Sequence, residues 1–512
     1  MTALAAEPQA TRREWIGLAI IALPCMLYSM DLTVLNLAVP QLSADLAPSA
    51  SQLLWIVDIY GFMIAGSLIT MGTLGDRIGR RRLLLIGAVA FGLASVLAAF
   101  STSAEMLIAA RAMLGLAGAT LAPSTLSLIR NMFLDPRQRT VAISVWITSF
   151  SVGGALGPLV GGILLQYFWW GSVFLVAVPV MVLLLILGPM LLPEYRDPEA
   201  GRLDLLSAAL SLVAVLAVIF GLKQTAENGF GWLPAISILA GLVLGFVFLR
   251  RQRKLADPLI DLALFRSPAF STSLGVNISV FFVFFGSFLF MAQYLQLVIG
   301  LPPLQAGLWS LPSTIGFIAV TMSTPAILRR VRPAYVMGAS LVAAAAGFGV
   351  MTQIGGDHGL AVLVTASIIF SMGLAPVITL ATDMIVGAAP PERAGSAAAL
   401  SETGSEFGGA LGIAVLGSVG TAIYRSRMAA DDLPGGVEPE LVETARDTLG
   451  GAVGVARGLA ADLAGPLIEA ARYAFIQGLQ TTAAISVVVT LAAAVAAVIM
   501  LRHIEVGADH GE

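Results

Sequence analysis

Lysine is almost missing from this chain: Lys223 and Lys254 are the only two in 512 residues. Neither stands in a G-x-x-x-x-G-K-[ST] string, so the chain has no P-loop of its own and is not expected to be driven by ATP hydrolysis within it. Cysteine is scarcer still. Cys25 is alone, which rules out an intramolecular disulfide, and it lies in the first apolar run. The three histidines, His358, His503 and His510, fall in loops or the tail. No imidazole is therefore placed to relay a proton through an apolar interior, and no His/Cys cluster suggests a metal or other cofactor. Charge of either sign is thin, at 12% of residues, where soluble domains carry roughly twice as much. The net charge of −3 marks no nucleic-acid partner.

What fills the chain is grease. Hydrophobic residues make up 58% and mean hydropathy is +0.91. Repeated apolar runs of about 20 residues match the thickness of a bilayer, and they predict an all-α polytopic membrane protein. Arg12 and Arg13 precede a first run that is long and lacks an A-x-A cleavage site, so it reads as a retained spanning helix rather than a signal peptide. Counting runs gives about fourteen helices. Placing the N-terminus inside puts 21 of the 28 lysines and arginines in cytoplasmic segments, so both termini are expected in the cytoplasm. The stretches "PEYRDPEAGRLD" (193–204) and "RRQRKLADPLIDLALFRSP" (250–268) bracket two helices. The division that follows is an N-terminal six-helix bundle over 1–193, a linker with two additional helices over 194–268, and a C-terminal six-helix bundle over 269–512. The last includes a long outer loop, 421–476, in which "PELVETARDTLGGAVGVARGLAADL" reads as a short amphipathic helical hairpin.

Against this background the buried charges stand out. Asp31 lies inside "YSMDLTVLNLAVP", where a mid-helix aspartate costs about 2.5–3.5 kcal/mol to insert and so is expected to face a bundle interior or a wet cavity. Tyr28 shares its face, and Ser29, Thr33 and Asn36 form a second polar stripe. A structural carboxylate bonded to a neighbouring helix is the alternative. Asp58, in "LWIVDIY" with Trp55, and Arg111 lie at similar depth, and could pair with each other or with Asp31, either for packing or for coupling. Glu402 and Glu406 are four apart on one helix, so they share a face. Two carboxylates that close in low dielectric cannot both ionise cheaply, so the pKa of at least one is expected to rise. Asp383 reads as a cap or an interfacial charge.

Three patterns carry a structural message. Gly153, Gly157 and Gly161, with Pro158 and Gly162 in "GGALGPLVGG", recur every fourth residue, as do Gly404, Gly408 and Gly412 in the second block. Such stripes let helices approach closely, and a dry seam between the two bundles is expected from them. "GTLGDRIGRRR" supplies Gly72, Gly75, Asp76, Arg77, Gly79, Arg80 and Arg81. An aspartate that pairs in one conformation and not in another would make it a latch. Phe281, Phe285 and Phe288 share a face of a phenylalanine-rich helix, facing lipid or lining a cavity for a flat ligand.

Taken together, these strings resemble the major facilitator superfamily, specifically its fourteen-helix drug:proton antiporters, nearly end to end. "GTLGDRIGRRR" looks like the superfamily's loop two–three signature, and "LIAARAMLGLAGA" with Arg111 looks like its helix-four proton-linked motif. "GGALGPLVGG" is similar to the exporters' helix-five motif and "MDLTVLNLAVP" to the antiporters' helix-one motif. "LWIVDIY", "APSTLSLIR" and the long outer loop are similar to quaternary ammonium and dye efflux pumps of the QacA, SmvA and LfrA type. The resemblance implies that Asp31 and Glu402 take part in coupling or cation recognition. It departs from some members at 311–325, which holds no acidic residue, and at "LRRVRP" (328–333), which lacks the aspartate of the first block.

The expectation is a bacterial inner-membrane, multi-pass antiporter, not an enzyme, that exports lipophilic cationic drugs, dyes and biocides in exchange for protons, working as a monomer in the lipid bilayer without a cofactor. Two rivals are a facilitator for a lipid, peptide or anion, and a non-transporting sensor or enzyme. The first requires a basic cavity, yet Arg111 is the one buried cation in the sequence reading. The second finds no nucleophile–base pair.

Overall fold

The long apolar runs close their backbone hydrogen bonds within themselves, as a chain in lipid must. The computed structural model describes residues 9–46, 48, 50–196, 204–228, 231–255, 258–390, 393–430 and 439–502, and among them there is no strand. The first bundle comprises α1 (Arg12–Leu46), α2 (Ala50–Ile78), α3 (Arg80–Ala99), α4 (Ala104–Gly118), α5 (Leu121–Met132), α6 (Pro136–Tyr167), α7 (Ser172–Leu175) and α8 (Ala177–Leu191). A hairpin of α9 (Leu205–Asn228) and α10 (Trp232–Gln252) follows. The second bundle is α11 (Pro268–Gln293), α12 (Pro303–Leu328), α13 (Pro333–Met351), α14 (Gly359–Gly387), α15 (Ala394–Ala430), two short helices, α16 (Pro439–Asp447) and α17 (Leu449–Ala456), and α18 (Ala461–Leu501). Among the described residues, thirteen stretches are long and apolar enough to cross a membrane, with α4–α5 and α7–α8 each counting as one. The 29-residue α2 is the further long helix.

Helix starts follow the local chemistry. Asp135 accepts from the Arg137 amide at 2.8 Å with Pro136 in the first turn of α6, and Ser267 caps α11 ahead of Pro268. The single span expected over 106–128 is two helices meeting at Ala119–Thr120. Pro123 has no amide to donate to the carbonyl of Ala119, so the ladder breaks there. A second difference concerns the expected loop over 421–476. α15 runs on to Ala430 and α18 begins at Ala461, so much of that segment is a continuation of two spanning helices, and α16 and α17 form the hairpin between them. Tyr424 of α15 anchors it by donating to the carbonyl of Ala445 at 2.8 Å.

The glycine stripes do not build the seam expected of them. Gly153 leaves no room for a side chain against the Met26 carbonyl of α1, and Gly412 none against the Phe282 carbonyl of α11. Both are contacts inside one bundle, α1 with α6 and α11 with α15. Gly157 and Gly161 are buried on α6, Gly162 is exposed with open space where a β-carbon would stand, and the Pro158 side chain lies outside the described residues. Backbone proximity is what glycine provides, and these repeats provide it within each half. Between the halves, α2 packs on α15, α6 on α12 and α14, and α5 on α15. There a different glycine matters: a β-carbon on Gly72 would meet the Gly395 carbonyl and the Ala399 side chain at 2.5 Å each. The α9–α10 hairpin rests on both halves, with α9 against α2 and α15.

Candidate functional site

The break between α4 and α5 leaves α4 a short helix held side-on against α2, and this fixes Arg111. Its guanidinium is 1% exposed. Nη1 donates to Asp31 at 2.6 Å, Nε to the Ile56 carbonyl at 3.0 Å, and Nη2 to the Val57 carbonyl at 3.3 Å. The Tyr60 ring lies 4.8 Å from the guanidinium carbon, adding a cation–π contact in a desolvated place. Of the partners open to Arg111, the structure brings Asp31; the Asp58 side chain lies outside the described residues, as does that of Asn36.

One turn before Asp31, Tyr28 points across the molecule. Its hydroxyl donates to the Glu406 carboxylate at 3.3 Å, joining α1 of the first bundle to α15 of the second. The ring is flanked by Tyr60 at 6.1 Å and Phe150 at 5.6 Å, and Phe150 stacks edge-on with Trp146. Tyr28 and Tyr60 thus stand between Glu406 of the second half and the Asp31–Arg111 pair of the first. Glu402, a turn away from Glu406 and partly buried, makes no hydrogen bond or ion pair among the described residues. Asn277 of α11 steadies this helix, donating to the Ser401 carbonyl at 3.2 Å and the Ser405 hydroxyl at 2.9 Å.

The other aromatic expectations divide. Phe285 lies against Gly409, about one turn from Glu406, and stacks with Phe281 at 6.0 Å. Phe288 is 51% exposed. Trp55 is 41% exposed and packs edge-on against Phe62.

At the end of the molecule where α2 finishes, the halves are tied together. Gly79, at φ 108°, makes a one-residue turn into α3 that a side chain would strain. The turn folds Arg80, 0% exposed, back onto Asp76, and Arg80 Nη1 also donates to the Gly72 carbonyl at 2.8 Å. Asp76 reaches over to α15, accepting from the Ser396 amide at 3.2 Å and its hydroxyl at 3.1 Å. A carboxylate at a helix N-terminus is favoured by the helix dipole as well as by the bonds. Gly75 gives the Arg80 guanidinium its space, while Arg77 sits half-buried beside the pair. Arg81 is held on the other side, by Glu194 at 3.6 Å and by the Pro189 and Leu192 carbonyls.

A second tie was not read from the sequence. Arg139 of α6 donates to Asp383 of α14 at 2.8 Å, and Thr140 donates to the other Asp383 oxygen, also at 2.8 Å. A third comes from the segment after α10. Leu259, 1% exposed, and Ile260 pack with Ile69 of α2 and with Ile385 and Leu400 of the second bundle. Thr73 donates to the Leu259 carbonyl at 3.0 Å and Arg393 to Asp261 at 2.8 Å. The signals were an aspartate at a span's inner end and an apolar "PLIDLALF" inside a charged linker.

Two helical bundles, paired acids at their meeting place and ties that close one end define a membrane transporter. The family model described as Major Facilitator Superfamily matches residues 21–413, and the chain belongs to that superfamily. It is 42% identical to the multidrug efflux pump LfrA of Mycolicibacterium smegmatis, over 98% of this chain and 100% of the relative. It is 37% identical to the methyl viologen resistance protein SmvA of Salmonella typhimurium, over 91% and 93% of the two chains. Among solved structures, the human organic anion transporter MFSD10 superposes with a TM-score of 0.60 at 14% identity, covering 93% of this chain and 99% of that one, a likeness of fold.

Proposed function

We propose that this chain expels lipophilic cations, such as quaternary ammonium compounds and dyes, in exchange for protons, working as a monomer in the bacterial inner membrane with both termini in the cytoplasm. The observation that carries the reading is the Tyr28–Glu406 bond beside the Asp31–Arg111 pair, because it couples titratable groups of the two halves at one place. With the tied end cytoplasmic, the state described here is closed to the inside. Residues 1–193 and 269–512 are the rocking units, and 194–268 bridges them.

Asp31 is committed to Arg111, so its role is to sense the proton: protonation removes its charge and loosens Arg111 from the α1–α2–α4 junction. The cation belongs beside Glu402 and Glu406, where a carboxylate supplies charge and the rings of Tyr28 and Phe150 supply π faces. The structure buries a second guanidinium besides the expected Arg111, that of Arg80, but an anionic cargo finds no support, since Arg111 is already bonded to a carboxylate and two carbonyls and Arg80 is closed onto Asp76 and the Gly72 carbonyl. With no histidine in a spanning run, a proton exchanged through the interior has to ride on the carboxylates. The test is ethidium transport in everted vesicles energised by a pH gradient. Transport abolished by a protonophore and by Glu406→Gln supports antiport. Transport as strong as before in Asp31→Asn/Glu402→Gln/Glu406→Gln overturns it.

A further inference from the structure

Between α3 and α8, on the membrane-facing surface at the tied end, lies a cleft of about 400 Å³. Its walls are apolar, with Leu85, Ile86 and Val89 on α3 and Leu185 and Pro189 on α8, while Arg81 and Arg82 stand at its mouth. Residues 82, 86 and 89 follow one face of α3, so the apolar wall runs down from the arginines for about 10 Å. Both helices belong to stretches apolar enough to span a bilayer. The wall therefore meets hydrocarbon and the mouth meets headgroups.

The charges at the mouth are arranged for an anion that comes with a tail. Glu194 accepts from the Arg81 and Arg82 amides, at 3.1 Å each, and so already fills the N-terminus of α3. Arg81 is partly neutralised by the same carboxylate. The Arg82 guanidinium is exposed and has no hydrogen-bond or ion-pair partner among the described residues. Two arginines against one carboxylate leave a net positive mouth on an apolar groove. Basic pockets between spanning helices on the cytoplasmic side suit anionic headgroups.

We infer that this cleft binds an anionic phospholipid, with its phosphate on Arg82 and Arg81 and an acyl chain along Ile86, Val89 and Leu185. A water-soluble anion could use the arginines but would leave the groove uncovered. A zwitterionic lipid could use the groove but would bring its own cation to the mouth. The site lies on the same turn as the Asp76–Arg80 tie, so its lipid braces α3 against α8 where that tie is anchored.

The test counts lipid bound to the delipidated, purified protein by native mass spectrometry, titrating phosphatidylglycerol or phosphatidylcholine. Phosphatidylglycerol should be retained preferentially, and Arg82→Gln should cut that preference about fivefold while Arg82→Lys keeps it. Val89→Trp, which fills the groove, should remove the tightest-bound lipid, and excess inorganic phosphate should not displace it. Equal retention of the two lipids, displacement by phosphate, or retention unchanged by Val89→Trp would each overturn the assignment. Should Arg82→Gln fail to fold, the Val89→Trp and phosphate arms still decide.

Discussion

At the scale of single residues, Asp31 and Arg111 form a carboxylate–guanidinium pair held largely out of water. Breaking such a pair from one side leaves an uncompensated buried charge, at a cost of about 3–5 kcal/mol. Arg111→Ala should therefore lower the melting temperature of the purified protein markedly. Asp31→Asn/Arg111→Gln, which removes both charges, should recover most of that loss while leaving dye efflux dead. A double variant no more stable than Arg111→Ala would show that the two residues do not act as a pair. Tyr28→Phe removes a hydrogen bond between the halves worth about 1 kcal/mol, so it should shift the balance towards the state open at the tied end about fivefold, read as labelling of a cysteine introduced there. Asp31, Arg111 and Glu406 were legible because a charge in an apolar run is conspicuous. The Tyr28–Glu406 bond was not, because 378 residues separate its partners and only the packing of α1 near α15 brings them together.

Among the elements, two close approaches by glycine do different work, and substitution separates them. Gly72 faces α15 across the bundle interface, whereas Gly412 faces α11 within a bundle. Gly72→Ala should leave the melting temperature nearly unchanged and favour the state open at the tied end, because the halves can part. Gly412→Ala has no such escape and should cost about 1–3 kcal/mol by overpacking. If both variants simply melted lower, the α2–α15 contact would be static packing. The ties make a related prediction. Asp76→Asn and Asp383→Asn disrupt different helix pairs at one end, so cross-linking between cysteines placed on α2 and α15 should fall in each and fall further in the double variant. The all-helical build and the two-bundle plan could be read from hydropathy and motif. A glycine period announces that some backbone comes near but does not say whose, and here the near backbone belongs to the same bundle. Asp383 was underread for the same reason, since Arg139 lies on a helix of the other half.

For the molecule as a whole, among the described residues three ties join the halves at one end and the Tyr28–Glu406 bond joins them away from that end. If cation entry and proton exit share one machine, adding ethidium to the detergent-solubilised protein in weak buffer should release protons. Asp31→Asn should release fewer, and no release from the unaltered protein would leave a facilitator. The lone thiol has a practical consequence for watching the cycle. Cys25 is 1% exposed, seated against the Thr125 hydroxyl at 3.5 Å, so a membrane-impermeant maleimide has no route to it. Any pair of cysteines added on the surface then becomes a clean set of dye positions without first stripping the native sequence. The gap between α2 and α15 can be followed by energy transfer in the unmodified background, one molecule at a time.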